Sequence, residues 1–241
     1  MGRGPRNYAV LAIILGVFMH VDSGAVVSGQ DAFAADRERM VAAQIASRDV
    51  RDARVLAAMR EVPRHRFVPD TLQMQAYDDR PLPIGHDQTI SQPYIVALMT
   101  QLARPGPADR ALEVGTGSGY QAAVLSRLVS HVYTIELVEA LARSAEQRLT
   151  ELRYTNVTTR AGDGYAGWPE MAPFDIILVT AAPDHVPAPL LQQLKEGGRM
   201  VVPVGPVAEV QELQLIEKDH QGRIRTTRVA PVRFVPLLRG R

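Results

Sequence analysis

The segment from Arg110 to Gly119 constrains the fold of this chain more than any other. A short apolar run, Arg110–Val114, is followed at once by a G-x-G-x-G cluster made of Gly115, Gly117 and Gly119. Glycines at such a point let the backbone turn tightly and approach a ligand closely, and a following helix presents unpaired N–H groups to that ligand. The segment therefore predicts a first strand, a ligand-facing turn and a helix.

The rest of the chain after this turn alternates strand-like and helix-like patterns. The predicted strands are Arg110–Val114, His131–Leu137, Asn156–Arg160, Phe174–Thr180 and Arg199–Val204, and the predicted helices are Tyr120–Val129, Val138–Leu152 and Pro187–Leu194. The tail differs, because Val210–Glu217 and Ile224–Leu237 are both strand-like and a turn at Lys218–Gly222 joins them. We therefore predict an α/β fold with a doubly wound, Rossmann-like, mostly parallel sheet, an antiparallel C-terminal strand pair and an N-terminal helical segment.

The N-terminal part before the first glycine turn is less regular. Apolar residues recur at helical spacing over Asp36–Met59, and Pro63 ends that pattern. Residues 62–69 are predicted to form an extended connector, since a residue before proline is pushed out of the helical region. Residues 76–93 are predicted to be a loop, and a helix is predicted to follow through Ala103 with Pro93 in its first turn.

The first 34 residues resemble a secretory signal. Two arginines precede an uncharged run of twelve residues, Tyr8–Met19, which is too short for a comfortable membrane span, and an A-x-A-like sequence, Ala32–Ala34, follows later. The alternatives are a poorly ordered extension, or an upstream start codon that is not used. We exclude residues 1–34 from the fold and predict one domain over residues 35–241.

Two acidic residues follow later strands of the predicted sheet. Glu136 ends the second strand, 21 residues after Gly115, where a carboxylate suits the two ribose hydroxyls of an adenosine ligand. Gly162-Asp163-Gly164 follows the next strand, and its aspartate is placed to meet an adenine amino group. Each has a plainer alternative, because Glu136 could be a surface residue and Asp163 could stabilise only its own turn. Together with the glycine turn they predict one nucleotide-type crevice at the carboxyl ends of three strands.

Composition excludes several other chemistries. The chain has no cysteine, which rules out disulfides, thiolate zinc sites, iron–sulfur clusters and a cysteine nucleophile. It carries 27 lysines and arginines against 26 aspartates and glutamates, so bulk charge gives no reason to expect nucleic-acid binding.

The motifs together resemble a known enzyme family. Glu113-x-Gly115-x-Gly117-x-Gly119, the acidic end of the second strand and Gly-Asp-Gly are similar to class I S-adenosylmethionine-dependent methyltransferases. A second set of blocks narrows the resemblance to the protein-L-isoaspartate O-methyltransferases over residues 36–241, and it comprises Val62–Pro69, Leu82–Tyr94, Pro203–Pro206 and Val232–Leu237. Gly85-His86-Asp87 departs from the family pattern, and we assign His86 no role.

The resemblance implies a reaction and a set of site residues. A methyl group passes from S-adenosylmethionine to the free α-carboxylate of an L-isoaspartyl residue in a damaged protein, leaving S-adenosylhomocysteine, and the ester returns through a succinimide to aspartate. Ser91 resembles the active-site serine, although a serine at this place also suits a helix cap. The implied cofactor-binding residues are Gln88, Thr89, Ile90, Glu113, Gly115, Thr116, Gly117, Gly119, Glu136, Asp163 and Gly164, and no metal is implied.

The resemblance also shapes our expectations about partners and location. Residues 35–104 are expected to cover substrate and cofactor, and residues 105–241 to form the cofactor-binding sheet. We expect a cytoplasmic monomer that acts on isoaspartyl peptides and proteins, binds no nucleic acid and meets a membrane only through residues 1–34. Export or anchoring through that segment is the alternative. The rival functions are another class I methyltransferase acting on a carboxylate or small molecule, a nucleotide-dependent oxidoreductase, and a non-catalytic exported binding protein.

Overall fold

A seven-stranded sheet forms the centre of the molecule. The computed structural model describes residues 1, 2, 4, 32–206 and 209–240, and the fold belongs to the unit Ala32–Arg241. In chain order the strands of this sheet are β3 (Arg110–Val114), β4 (His131–Glu136), β5 (Val157–Ala161), β6 (Phe174–Val179), β7 (Leu194–Val204), β8 (Gln211–Lys218) and β9 (Ile224–Val232). Their spatial order is β5-β4-β3-β6-β7-β8-β9. A separate hairpin contains β1 (Leu82–Gly85) and β2 (Gln88–Ile90).

The connections make the sheet doubly wound, as the sequence predicts. Strands β5, β4, β3, β6 and β7 are parallel, and β8 and β9 are each antiparallel to their neighbour. The helices are α1 (Ala34–Arg39), α2 (Ala53–Glu61), α3 (Pro93–Ala103), α4 (Tyr120–Ser126), α5 (Glu139–Glu151) and α6 (Ala188–Gln193). The chain leaves β3 toward β4 on one side and returns to β6 on the other, so the strand order reverses between β3 and β6. Ligands of such sheets bind outside the carboxyl ends of the strands at this reversal.

Both faces of the central strands β3 and β6 are buried. One face packs Ala111, Ile176 and Leu178 against the N-terminal helices, and the other packs Leu112 and Ile177 in a second cluster that includes residues of α6. Neighbouring residues of one strand thus serve different cores. This explains why the central strands β3 and β6 are largely apolar.

The predicted single helical stretch Asp36–Met59 is interrupted in the structure. After α1 the chain continues as a π-helix over Met40–Ala46, and α2 begins only at Ala53. At the break the Gln101 side chain accepts the N–H groups of Arg51 and Asp52, and the Asp52 carboxylate accepts the N–H of Arg54. These side chains satisfy backbone donors at the break and in the first turn of α2, so the apolar periodicity alone does not keep the helix continuous.

Two other N-terminal predictions need correction. The connector at residues 62–69 is extended at Val62 and Val68, each before a proline, but Arg64–Phe67 forms a 3-10 turn between them. Residues 76–93 are not simply a loop, because they contain the β1–β2 hairpin. His86 and Asp87 form its turn with φ values of +53° and +56°. Positive φ at both positions suits the twist of a two-residue hairpin turn, and asparagine and glycine are the residues that usually adopt it. Because His86-Asp87 is not such a pair, the sequence pattern did not indicate this turn.

The last strand is also shorter in the structure than the sequence predicts. Strand β9 ends at Val232 instead of continuing to Leu237. Beyond it the chain runs beside Ala182, whose N–H donates to Val235 O and whose carbonyl accepts the N–H of Leu237, each at 2.8 Å. The last residues therefore reach the carboxyl ends of the central strands.

The predicted start of the fold lies three residues too late. Phe33, which we assigned to the signal-like segment, stacks on the His65 ring with their centroids 4.3 Å apart. The apolar run Tyr8–Met19 lies outside the described residues. Among the described residues, no helix combines the length and the apolarity needed to cross a bilayer.

Candidate active site

A cavity opens at the carboxyl ends of β3, β4 and β6, where the strand order reverses. Ten of the predicted site residues line it, namely Gln88, Thr89, Ile90, Ser91, Glu113, Gly115, Thr116, Gly117, Glu136 and Gly164. The structure thus brings the glycine turn, the end of β4 and the β2 strand of the hairpin together. Each comes from a different part of the chain, and the sheet topology places them side by side.

The glycine turn has the backbone that only glycine adopts readily. Gly115 has a φ of +100° and Gly117 a φ of +52°. A Cβ on Gly115 would lie 2.5 Å from Oγ1 of Thr180, which directly follows β6. The Thr180 hydroxyl in turn donates to the Gly115 carbonyl at 2.6 Å. This close packing of the ends of β3 and β6 leaves no room for a side chain at Gly115.

The carboxylate of Glu136 forms one wall of the cavity. Its Oε2 accepts the N–H of Gly117 at 2.8 Å, and its Oε1 accepts the N–H of Val138 at 2.9 Å. A carboxylate has about four lone-pair sites, so each oxygen keeps acceptor capacity for hydroxyl groups of a ligand. The surface-residue alternative for Glu136 does not hold, because the residue is only 7% exposed.

A buried hydrogen-bond chain lies beneath the turn. Thr116 shares a hydroxyl contact of 2.7 Å with Thr134, and the Thr134 hydroxyl donates to Oε2 of Glu113 at 2.6 Å. Burial, opposed by the Thr134 hydrogen bond and reinforced by the Glu136 charge, raises the pKa of Glu113 to about 8. Its other oxygen, Oε1, is buried and has no partner among the described residues. Glu113 also lines the cavity, and a cationic group of a ligand placed beside this oxygen would lower the pKa again and make the oxygen an acceptor.

Gly119 and Asp163 are not among the residues that line the cavity. Gly119 has a φ of +88° at the start of α4, and a Cβ there would lie 3.3 Å from side-chain atoms of Leu149 on α5. The absence of a side chain at Gly119 permits close packing of α4 against α5. Asp163 accepts the N–H of Tyr165 at 2.9 Å and the N–H of Gly240 at 3.1 Å. These contacts match the turn-stabilising alternative, and they also fix the tail.

A second cavity of about 520 Å³ adjoins the first. Thr89, Ser91, Thr180 and Val235 line both cavities and form the seam between them. Helix α3 begins after Gln92, which is its N-cap, and in the described part of the chain no side chain caps it. The capping alternative for Ser91 is therefore wrong. Its hydroxyl forms no hydrogen bond with any described residue, which leaves it free for a bound group.

Some cavity residues had no role in the sequence interpretation. Thr180 is the last residue of the predicted strand Phe174–Thr180 and directly follows β6 in the structure, so its position at a strand end was a signal that we did not use. Val235, Pro236 and Leu237 lie in a block that carried the family resemblance, but only the turn of the tail beside Ala182 brings them to the cavity. Tyr120 begins α4 under the Arg64 guanidinium, which lies 4.9 Å from the ring centroid. Because Arg64 and Tyr120 are 56 positions apart, no local sequence pattern indicates this contact.

The comparisons with known proteins agree with this architecture. A model of the protein-L-isoaspartate(D-aspartate) O-methyltransferase family matches residues 35–241. The chain belongs to this family.

Relatives within the isoaspartate methyltransferase family are similar over most of their length. A protein-L-isoaspartate O-methyltransferase 2 of Polaromonas sp. is 61% identical over 186 residues, which is 77% of this chain and 88% of that protein. A protein-L-isoaspartate O-methyltransferase of Opitutus terrae is 59% identical over 204 residues, covering 85% and 87%. These matches extend over most of each chain, so the similarity to the family is not confined to short motifs.

Solved structures of the family share the fold. One protein-L-isoaspartate O-methyltransferase is 31% identical with a TM-score of 0.74, over 83% of this chain and 65% of that chain, just under two thirds. A structure from Plasmodium falciparum in complex with S-adenosyl-L-homocysteine is 24% identical with a TM-score of 0.72, over 85% and 99%. No group of histidine, aspartate and glutamate within the described ranges is arranged to hold a metal ion.

Proposed function

We propose that this protein is a repair methyltransferase that transfers a methyl group from S-adenosylmethionine to the free α-carboxylate of L-isoaspartyl residues in damaged proteins. The observation that carries this proposal is the seam, because it joins a nucleotide-type cavity to a second cavity through the hydroxyls of Thr89 and Ser91. Family membership favours it over a nucleotide-dependent oxidoreductase, over a methyltransferase with another substrate and over a non-catalytic binding protein.

The residues of the first cavity fit S-adenosylmethionine. The free acceptor capacity of Glu136 suits the ribose hydroxyls, and the unpartnered Oε1 of Glu113 suits the ammonium group of the methionine part. The open backbone at Gly117 and the segment 88–90 would enclose the rest. When bound, this cofactor supplies an electrophilic methyl group on a positively charged sulfur and leaves as neutral S-adenosylhomocysteine.

The protein has little acid–base work in this reaction. A carboxyl group with a pKa near 4 is already ionised at pH 7, so no general base is required. What the protein supplies is alignment and exclusion of water. The Ser91 hydroxyl donates to one oxygen of the substrate carboxylate, and the other oxygen stays free to form the new bond to carbon. Thr89 stands beside it at the same seam.

A methyl-transfer assay with three matched peptides tests this proposal. The first peptide contains L-isoaspartate, the second contains ordinary aspartate, and the third carries the isoaspartyl residue with its α-carboxylate amidated. Only the first should accept labelled methyl groups, and base should release the label as methanol. Methylation of the amidated peptide would overturn the assignment to carboxyl chemistry, and methylation of none would overturn the substrate class.

We also propose a cytoplasmic location, because S-adenosylmethionine is made in the cytosol. We propose in addition that the protein is a monomer. Amino-terminal sequencing of the protein from fractionated cells, with light scattering of the purified protein, tests this part. Protein recovered outside the cytoplasm and cleaved within the signal-like segment would contradict the location. A mass of two chains would contradict the monomer.

A further inference from the structure

Among the described residues that line the second cavity, Arg233 alone is charged. Two polar residues of the same lining already form hydrogen bonds within the protein. Gln92 donates to the Asp79 carbonyl, and Thr180 donates to the carbonyls of Val114 and Gly115. The rest of the lining is apolar apart from the seam hydroxyls. A molecule in this cavity therefore meets hydroxyls at one place and a guanidinium at another.

The guanidinium of Arg233 is free to bind an anion. It is exposed, and it forms neither an ion pair nor a hydrogen bond with any residue in the described part of the chain. Two other arginines near the same strand differ, since Arg228 pairs with Glu212 at 3.1 Å and Arg223 pairs with Asp219 at 2.6 Å. Arg233 thus keeps its five N–H donors for a partner from outside the chain.

Arg233 does not belong to the seam. It lines the second cavity but not the first, whereas Ser91 lines both. An arginine that held both oxygens of the reacting carboxylate would withdraw electron density from the oxygen that must attack the methyl group. The position of Arg233 away from the shared residues suits a different carboxylate of the same substrate.

We infer that Arg233 is a specificity residue that selects isoaspartyl substrates carrying a second carboxylate near the reacting residue. This inference rests on the proposed function. The second carboxylate is either the side chain of a neighbouring aspartate or glutamate, or the carboxyl end of the polypeptide. A neighbouring lysine or arginine in the substrate is disfavoured by the same charge.

The expected size of the effect follows from exposure. An ion pair in contact with water contributes modestly, which corresponds to a change of about 2- to 5-fold in kcat/KM. Because Arg233 lies off the seam, the change should appear in KM while kcat stays nearly constant. Salt should weaken it, since at 1 M ionic strength charges are screened within about 3 Å.

The experiment measures steady-state methylation of isoaspartyl peptides that differ in one neighbouring residue. Glutamate, glutamine or lysine is placed at successive positions on either side, with the peptide ends blocked. A separate pair of neutral peptides differs only in a free or an amidated carboxyl end. The proteins are the parent, Arg233→Gln, Arg233→Glu and the matched control Arg225→Glu, since Arg225 is an exposed arginine of β9 that does not line the second cavity.

We expect the parent to prefer glutamate over lysine at one or more positions, or the free carboxyl end over the amide. Arg233→Gln should remove that preference, Arg233→Glu should reverse it, and Arg225→Glu should leave it unchanged. A parent enzyme that methylates all the peptides equally would overturn the inference, as would an unchanged preference in Arg233→Glu. Failure of the proposed function would look different, because the parent would then methylate no isoaspartyl peptide at all.

Discussion

The carboxylate of Glu136 accepts the backbone N–H of Gly117, with 2.8 Å between Oε2 and the nitrogen. One side chain thus links the end of β4 to the glycine turn after β3, and its second oxygen holds the N–H of Val138 just ahead of α5. Glu136 therefore lines the cavity and also stabilises the glycine turn that forms part of the cavity wall. Binding and stability are coupled at this position.

Replacing Glu136 with alanine should weaken both binding and stability. We expect S-adenosylhomocysteine affinity to fall by about 1.5–3 kcal/mol, because hydrogen bonds to a charged group are lost. The free energy of unfolding without ligand should fall by about 1–3 kcal/mol, because two half-buried N–H groups lose their acceptor. Titration calorimetry and urea unfolding measure the two effects. Glu139→Ala is the control, since within the described ranges that exposed carboxylate pairs with Arg143 alone, at the surface, and it should change neither quantity appreciably.

Replacing Gly117 with alanine should separate backbone strain from ligand contact. A left-handed φ costs an alanine about 1–2 kcal/mol of stability, and a Cβ here would also reach 3.4 Å from Ile84 in the hairpin. Gly222→Ala carries a comparable strain at φ +76° in the β8–β9 turn, with nothing within 4 Å of the new Cβ. Urea unfolding should show similar losses in both variants. Only Gly117→Ala should also lose affinity for S-adenosylhomocysteine, and equal affinities would show that the turn does not face the ligand.

Replacing Ser91 with alanine should affect turnover and little else. The side chain caps no helix, so the free energy of unfolding should change by no more than about 0.5 kcal/mol. A lost hydrogen bond to the substrate carboxylate, at about 1.5–3 kcal/mol, corresponds to roughly a 10- to 100-fold lower transfer rate. Cofactor affinity should stay nearly intact. Ser91→Thr keeps the hydroxyl and should retain much of the activity, whereas a fully active alanine variant would remove Ser91 from the reaction.

The raised pKa of Glu113 should make stability depend on pH in a particular direction. The folded protein keeps this proton up to about pH 8, while the unfolded chain releases it near its ordinary value of 4.5. Stability from this group is therefore full below pH 4.5 and is lost as the pH rises toward 8, at no more than about 1.4 kcal/mol per pH unit.

Urea unfolding of the parent and of Glu113→Gln across this range isolates the contribution. Because glutamine has no proton to lose, the stability difference between the two proteins should fall with rising pH and become constant above 8. Parallel pH profiles would mean that Glu113 is already ionised in the folded protein.

The sequence by itself determined the elements that depend on local pattern. Strands β3 and β6 follow from apolar runs buried on both faces, and the glycine turn follows from residues that alone tolerate its backbone. The position of Glu136 at the end of the second strand follows from the same reading. These features require only neighbours along the chain, because a central parallel strand is covered on both faces and therefore carries an apolar run.

Only the tertiary structure decided how distant segments meet. It placed Ser91 at a seam instead of a helix cap, and it used Gly119 for packing on Leu149. It assigned the oxygens of Asp163 to Tyr165 and Gly240, and it brought the tail beside Ala182. Such contacts depend on the shapes and hydrogen-bond needs of both partners at once. No periodicity along one segment carries that information, because the free energy of each contact belongs to the pair.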